Sequence, residues 1–195
     1  MSESEIVKAT APVARAFERL GVAWHIGGSV GSSIHGVPRS TLDVDVVADL
    51  SQDHVKGLVD ELSEAYYVDE DMVRDAVRRR ASFNVIHLET MLKVDVFVLK
   101  HGTYDRTAFS RAQSRELEPG AVFPVASPED TILNKLEWFR LGNEISERQW
   151  KDVVGVMRVQ RERLDRGYLA KWAAALGLED LLTRAYADAG FEPTG

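Results

Sequence analysis

The chain has 195 residues and 21.8 kDa, with 45% hydrophobic residues and a formal net charge of −7. That length fits one domain, or one domain with a small helical appendage, and the apolar content is enough for a real core. The absence of cysteine excludes disulfides, thiolate nucleophiles and cysteine zinc sites, and the acidic balance argues against broad, sequence-independent nucleic-acid binding.

Residues 1–5 are too polar for a secretory signal, and no apolar run approaches the ~20 residues of a membrane span. A soluble, cytoplasmic protein with no membrane partner is expected, ordered apart from a few residues at each end. Two basic concentrations, Arg78-Arg79-Arg80 and Arg158, Arg161, Arg163 and Arg166, read as solvated surface.

Ile6, Ala9, Val13, Ala16, Phe17 and Leu20 recur at helical spacing and predict an opening amphipathic helix, stopped at Gly21. Residues 22–26 read as a short strand running into Gly27 and Gly28. Residues 29–35 read as a short helix that Gly36-Val37-Pro38 breaks. A strand over 42–48 follows. Ser51 then caps a helix whose buried stripe is Val55, Leu58, Val59 and Leu62. A helix over 71–79 precedes a hairpin of strands 83–88 and 92–99.

Residues 101–125 read as irregular, with Gly102, Pro119, Gly120 and Pro124 among them. Three parts are therefore expected: a core over 1–100, a connecting segment over 101–126 and a helical part over 127–195. The last opens on Ser127-Pro128-Glu129-Asp130, a serine cap followed by proline at the first helical position and acids suited to the helix dipole. Ile132, Leu133, Leu136 and Phe139 follow on one face, and further helices are predicted over 147–160, 164–176 and 179–189. The expected class is α/β (α+β): a mixed sheet flanked by helices, with a C-terminal helical bundle.

The acids are the chemical signal. Asp43 and Asp45 lie two residues apart inside an apolar strand, so they share a face, and Asp95 interrupts a second such strand. Grouped like charges repel and call for neutralisation. Three carboxylates suit Mg²⁺ or Mn²⁺, hard ions that favour oxygen ligands and share sites with phosphates. Gly27 and Gly28, between a strand and a helix start, let backbone N–H groups approach an anion, and Ser29 adds a hydroxyl. Such a set can drive in-line attack by a hydroxyl on the α-phosphate of a nucleoside triphosphate, with Asp95 as general base or further ligand.

Other residues read more plainly. The histidines are scattered without metal-ligand spacing, which argues against zinc, and His35 reads as a hydrogen-bond donor orienting its loop. Trp138, Trp150 and Trp172 read as core.

The pattern Gly27-Gly28-Ser29, His35-Gly36, Arg39, Thr41, Asp43 and Asp45 resembles the nucleotidyltransferase superfamily of DNA polymerase β type. Within it the likeness is closest to minimal nucleotidyltransferases and the AbiEii-type toxins of toxin–antitoxin systems. Ser127-Pro128-Glu129-Asp130, Lys135 and Lys151-Asp152 are similar to that group's C-terminal helices.

The resemblance implies a two-metal transfer in which Asp43, Asp45 and Asp95 hold the metals. It implies that Gly27, Gly28 and Ser29 grip the triphosphate, and that Arg39 and Thr41 lie near the phosphates or support the loop. Lys135 would reach a phosphate and Asp152 would be a pocket residue, with the nucleotide between the two halves. By their spacing alone, Lys135 reads equally as a solvated lysine and Asp152 as a surface acid. The acceptor stays open among an RNA end, a protein and a small molecule, and a cognate antitoxin is a candidate partner. A silent nucleotide-binding module acting as antitoxin, regulator or subunit is the alternative, and a hydrolytic or kinase-like use of the metal site is a third.

Overall fold

The structure is a computed structural model that describes residues 4–191; the chain ends expected to lack order lie mostly outside that range. In chain order the elements are α1 (Glu5–Arg19), β1 (Trp24–Ile26), α2 (Gly28–His35), β2 (Asp43–Ala48), α3 (Val55–Leu62), β3 (Tyr66–Tyr67), α4 (Glu70–Arg79), β4 (Ser82–His87) and β5 (Lys93–Val98). Then come α5 (Thr103–Ser110), β6 (Gln113–Glu118), β7 (Ala121–Val125), α6 (Pro128–Leu141), α7 (Glu147–Gln160), α8 (Arg166–Leu176) and α9 (Glu179–Ala189). They form two compact units. Among the described residues, one comprises those up to Gly27 together with Thr41–Val125; the other comprises Gly28–Ser40 and those from Ala126 onward.

The first unit is built on a seven-stranded mixed sheet in the order β3-β4-β5-β2-β1-β7-β6. β2 and β5 run parallel, as do β1 and β7, and the other neighbours are antiparallel. Strict alternation makes the sheet two-sided. Val44, Val46 and Ala48 on β2 and Val94, Val96 and Val98 on β5 are buried, while Asp43, Asp45, Lys93 and Asp95 lie on the half-exposed face. α1 presents Val13, Ala16 and Phe17 to the core, and α1 and α3 pack together. It ends as expected at Gly21, whose φ of +67° suits glycine.

Residues 101–126, expected to be an irregular connector, instead form α5, β6 and β7, which widen the sheet. The reason is legible afterwards. β6 is a polar edge strand with a register shift between Glu116 and Glu118, so it shows no clean alternation, and β7 carries Pro124. The two-residue β3 also escaped prediction.

The second unit is helical. Ser127 accepts the N–H of Asp130 and caps α6, with Pro128 in the first turn. Ile132, Leu133 and Leu136 of α6 are fully buried, as are Val153, Val156 and Met157 of α7. α2 packs on both α6 and α7. Its end meets α7 closely: a Cβ at Gly36 would lie 2.8 Å from the backbone nitrogen of Val156. Trp172 is buried, but Trp138, expected in the core, is 53% exposed on α6. The arginine run on α4 is surface, as expected: Arg78 and Arg79 pair with Asp75, and Arg80 donates to the carbonyl of Leu99. Among the described residues no helix is long and apolar enough to cross a membrane.

Candidate functional site

In the sheet unit, the parallel register of β2 and β5 sets Asp43 opposite Lys93 and Asp45 opposite Asp95. Neighbouring strands lie about 4.8 Å apart, so these four charged residues form a two-by-two block on one face. Asn84 of β4 stands opposite Asp95 on its other side. Thr41 fixes the first acid by donating its hydroxyl to Asp43 Oδ1 at 2.6 Å.

Three like charges on one face need a counter-charge, and Lys93 supplies one: its Nζ lies 2.7 Å from Asp95 Oδ2. That hydrogen bond raises the Lys93 ammonium above its ordinary pKa. Burial opposes the rise, and the charges of Asp95, Asp43 and Asp45 add to it. Lys93 is a residue that the sequence reading does not single out. Its position two residues before Asp95, hence on the same strand face, was the available signal.

As the side chains stand, no group of three His, Asp or Glu residues among the described residues is arranged to hold a metal ion. The carboxylates thus share a face without being a ready-made ligand set. Their chemistry still fits a divalent cation of the Mg²⁺ or Mn²⁺ kind, being hard oxygen donors at half-exposed positions. The Lys93 ammonium stands on Asp95 as a built-in cation.

Gly27 closes this unit, its N–H donating to the carbonyl of Asp45 at 2.9 Å. A Cβ there would meet nothing within 4 Å. Gly28 differs: its φ of +52° is a left-handed conformation that favours glycine.

In the helical unit the other expected residues gather around Asp152. Arg39 reaches it as a fork, Nε to Oδ1 and Nη2 to Oδ2, both at 2.9 Å. Lys135 of α6 donates to the same Oδ2 at 2.9 Å. Arg39 Nη2 also donates to Ser29 Oγ at 2.6 Å, which ties the cluster to the first turn of α2. Lys135 and Asp152 are buried, so neither is the solvated surface residue that spacing alone left open. Burial pushes the Asp152 carboxyl up, but hydrogen bonds and charge from Arg39 and Lys135 outweigh it and hold the group below its ordinary value.

His35 takes the loop-orienting role expected of it. Its Nε2 lies 2.7 Å from the carbonyl of Ala126, so that nitrogen carries the proton. Gln160 donates to the His35 carbonyl at 2.6 Å. Sequence reasoning treated Glu129 and Asp130 as helix-start acids only. Both are buried: Asp130 accepts from Ser127 and from the Tyr168 hydroxyl, and Glu129 accepts the N–H of Asp165.

No protein-family profile matches this chain, and no curated protein matches it in sequence. In fold it is similar to solved nucleotidyltransferases. One is ANT(2'')-Ia in complex with adenylyl-2''-tobramycin, at TM-score 0.58 and 13% identity, covering 89% of this chain and 98% of that one. Another is the lincosamide antibiotic adenylyltransferase LnuA with lincomycin bound, at TM-score 0.53 and 13% identity, covering 82% of this chain and 99% of that one. A third is an antigenic nucleotidyltransferase-like protein from Paracoccidioides brasiliensis, at TM-score 0.54 and 14% identity, covering 96% and 94%. The mixed α/β architecture with its seven-stranded sheet is thus a nucleotidyltransferase-like fold.

Proposed function

We propose that this chain moves a nucleoside monophosphate from a nucleoside triphosphate to a hydroxyl acceptor. The observation that carries the reading is the register of β2 and β5, which sets Asp45 directly opposite Asp95 with Asp43 on the same half-exposed face. A fold does not fix a function by itself, so the argument rests on these residues and uses the fold as support.

Asp43, Asp45 and Asp95 would hold Mg²⁺ or Mn²⁺, which when bound offsets phosphate charge and orients the α-phosphate. Thr41 keeps Asp43 oriented through its 2.6 Å hydrogen bond. Ser29 and the backbone N–H groups at the start of α2 are the phosphate-binding element, with Gly28 permitting the turn into that helix. Arg39 and Lys135 add positive charge, and Asp152 fixes the position of both. In the transfer, the acceptor oxygen bonds to the α-phosphorus as the bond to the bridging oxygen breaks. Pyrophosphate leaves, and Asp95 accepts the hydroxyl proton.

Two of the fold relatives are named for antibiotic adenylylation or were solved with an adenylylated antibiotic, so a small-molecule hydroxyl is the first acceptor to test. An RNA end and a protein side chain follow. The pattern from Gly27 to Asp45 supports a place beside the AbiEii-type enzymes, with a cognate antitoxin as partner.

The test is incubation with each α-labelled triphosphate and Mg²⁺ in the presence of antibiotics, total RNA or lysate protein. Label should enter one acceptor class, and Asp43→Asn should abolish transfer while leaving the fold intact by circular dichroism. Nucleotide binding without product, or undiminished transfer by Asp43→Asn, would sink the reading.

A further inference from the structure

Lys93 has no part in the reaction set out above, yet its ammonium is bonded to Asp95, one of the carboxylates that the reaction needs. On the sheet face, Asp43 and Asp45 of β2 stand opposite Lys93 and Asp95 of β5, and the Lys93 Nζ is 2.7 Å from Asp95 Oδ2. Three carboxylates and one ammonium leave a formal charge of −2 on the block, so the lysine offsets only part of the acids' charge.

The two cations cannot use Asp95 independently. Mg²⁺ demands short, near-octahedral contacts to oxygen and repels an ammonium hydrogen-bonded to the same carboxylate. The two groups differ in freedom. The Asp95 side chain is 19% exposed, whereas the Lys93 side chain is 43% exposed on a flexible four-carbon stem. The lysine is therefore the partner able to leave.

We propose that Lys93 is a built-in competitor for the metal: it neutralises Asp95 in the metal-free protein and must release that carboxylate before a divalent cation can use it. This rests on the reading of Asp43, Asp45 and Asp95 as metal ligands. Its consequence is a specific one. The residue that keeps the like-charged face stable without metal also weakens the metal's hold on it.

The test is Mn²⁺ titration of the nucleotide-free full chain, followed by the electron paramagnetic resonance signal of free Mn²⁺. Wild type is compared with Lys93→Met, Lys93→Gln, Lys93→Arg and Asp95→Asn. Lys93→Met and Lys93→Gln keep the stem and remove the charge, so each should tighten Mn²⁺ binding by roughly tenfold, about 1.4 kcal/mol. Lys93→Arg should bind much as wild type does, because its charge remains. Asp95-dependent binding that is unchanged or weaker in both neutral variants overturns the proposal and leaves the metal reading standing. If wild type and the Lys93 variants bind Mn²⁺ no better than Asp95→Asn, both fall.

Discussion

Arg39 and Asp152 meet in a two-pronged ion pair, with Nε on Oδ1 and Nη2 on Oδ2, both at 2.9 Å. Their positions are 113 residues apart in the chain, and the acid's side chain is only 6% exposed. Lys135 shares the same carboxylate at 2.9 Å. One buried acid therefore sets the direction of two cations, and one of these reaches on to Ser29. An acid taken so far out of water gains little net stability from its pairs, but removing it is costly, because the Lys135 ammonium buried beside it is stranded.

Removing the acid should show that asymmetry. Asp152→Ala leaves the buried Lys135 ammonium and the Arg39 guanidinium without their shared partner, and should lower the unfolding free energy by about 3 kcal/mol. Lys135→Met should cost less, because Asp152 keeps its fork from Arg39. Urea unfolding of the two variants checks the order, and equal losses would count against Asp152 as the hub.

Acid sensitivity should include a part due to His25. It is buried on β1 beside the Phe109 ring at 5.1 Å, its Nδ1 finds no hydrogen-bond partner, and burial lowers its pKa from 6.5 to about 4. Between those values the unfolded chain binds a proton that the folded chain refuses. Stability from this residue is thus complete above pH 6.5, falls as pH drops toward 4, and falls no further below it. The loss is about 3 kcal/mol. Chemical denaturation at pH 7 and pH 4.5 should show a smaller difference for His25→Leu than for wild type.

Two glycines in the helical unit should respond oppositely to alanine. At Gly36 a Cβ would sit 2.8 Å from Val156 N and 3.0 Å from the Ser32 carbonyl oxygen, both backbone atoms that cannot swing aside. Gly36→Ala should therefore destabilise by about 1–3 kcal/mol. At Gly155, within α7, the nearest atom is Cγ2 of Val37 at 3.4 Å, on a side chain that is largely exposed and free to give. Gly155→Ala gains helix propensity and should be neutral or stabilising by up to about 1 kcal/mol. Paired thermal melts decide it, and matching losses would show that α2 and α7 do not meet as described.

Much of this was legible in local chain chemistry. Period-two alternation in residues 43–48 and 93–98 marks the strands and puts Asp43 with Asp45, and Lys93 with Asp95, on shared faces. Ser127 and Pro128 mark the start of α6 in the same local way. β6 was illegible because its charges face water on both sides, and β3 because two residues carry no period at all.

The sequence by itself determined which side chains share a face of each strand and where α6 begins, because the backbone pleat and the capping hydrogen bond span only a few residues. Only the tertiary structure decided that β5 lies parallel beside β2, so that Lys93 falls opposite Asp43 and Asp95 opposite Asp45. Only it decided that Lys135 and Asp152 are buried and joined by the half-buried Arg39 rather than solvated. Strand register and the desolvation of a charge depend on segments far apart in the chain, and no local pattern records them.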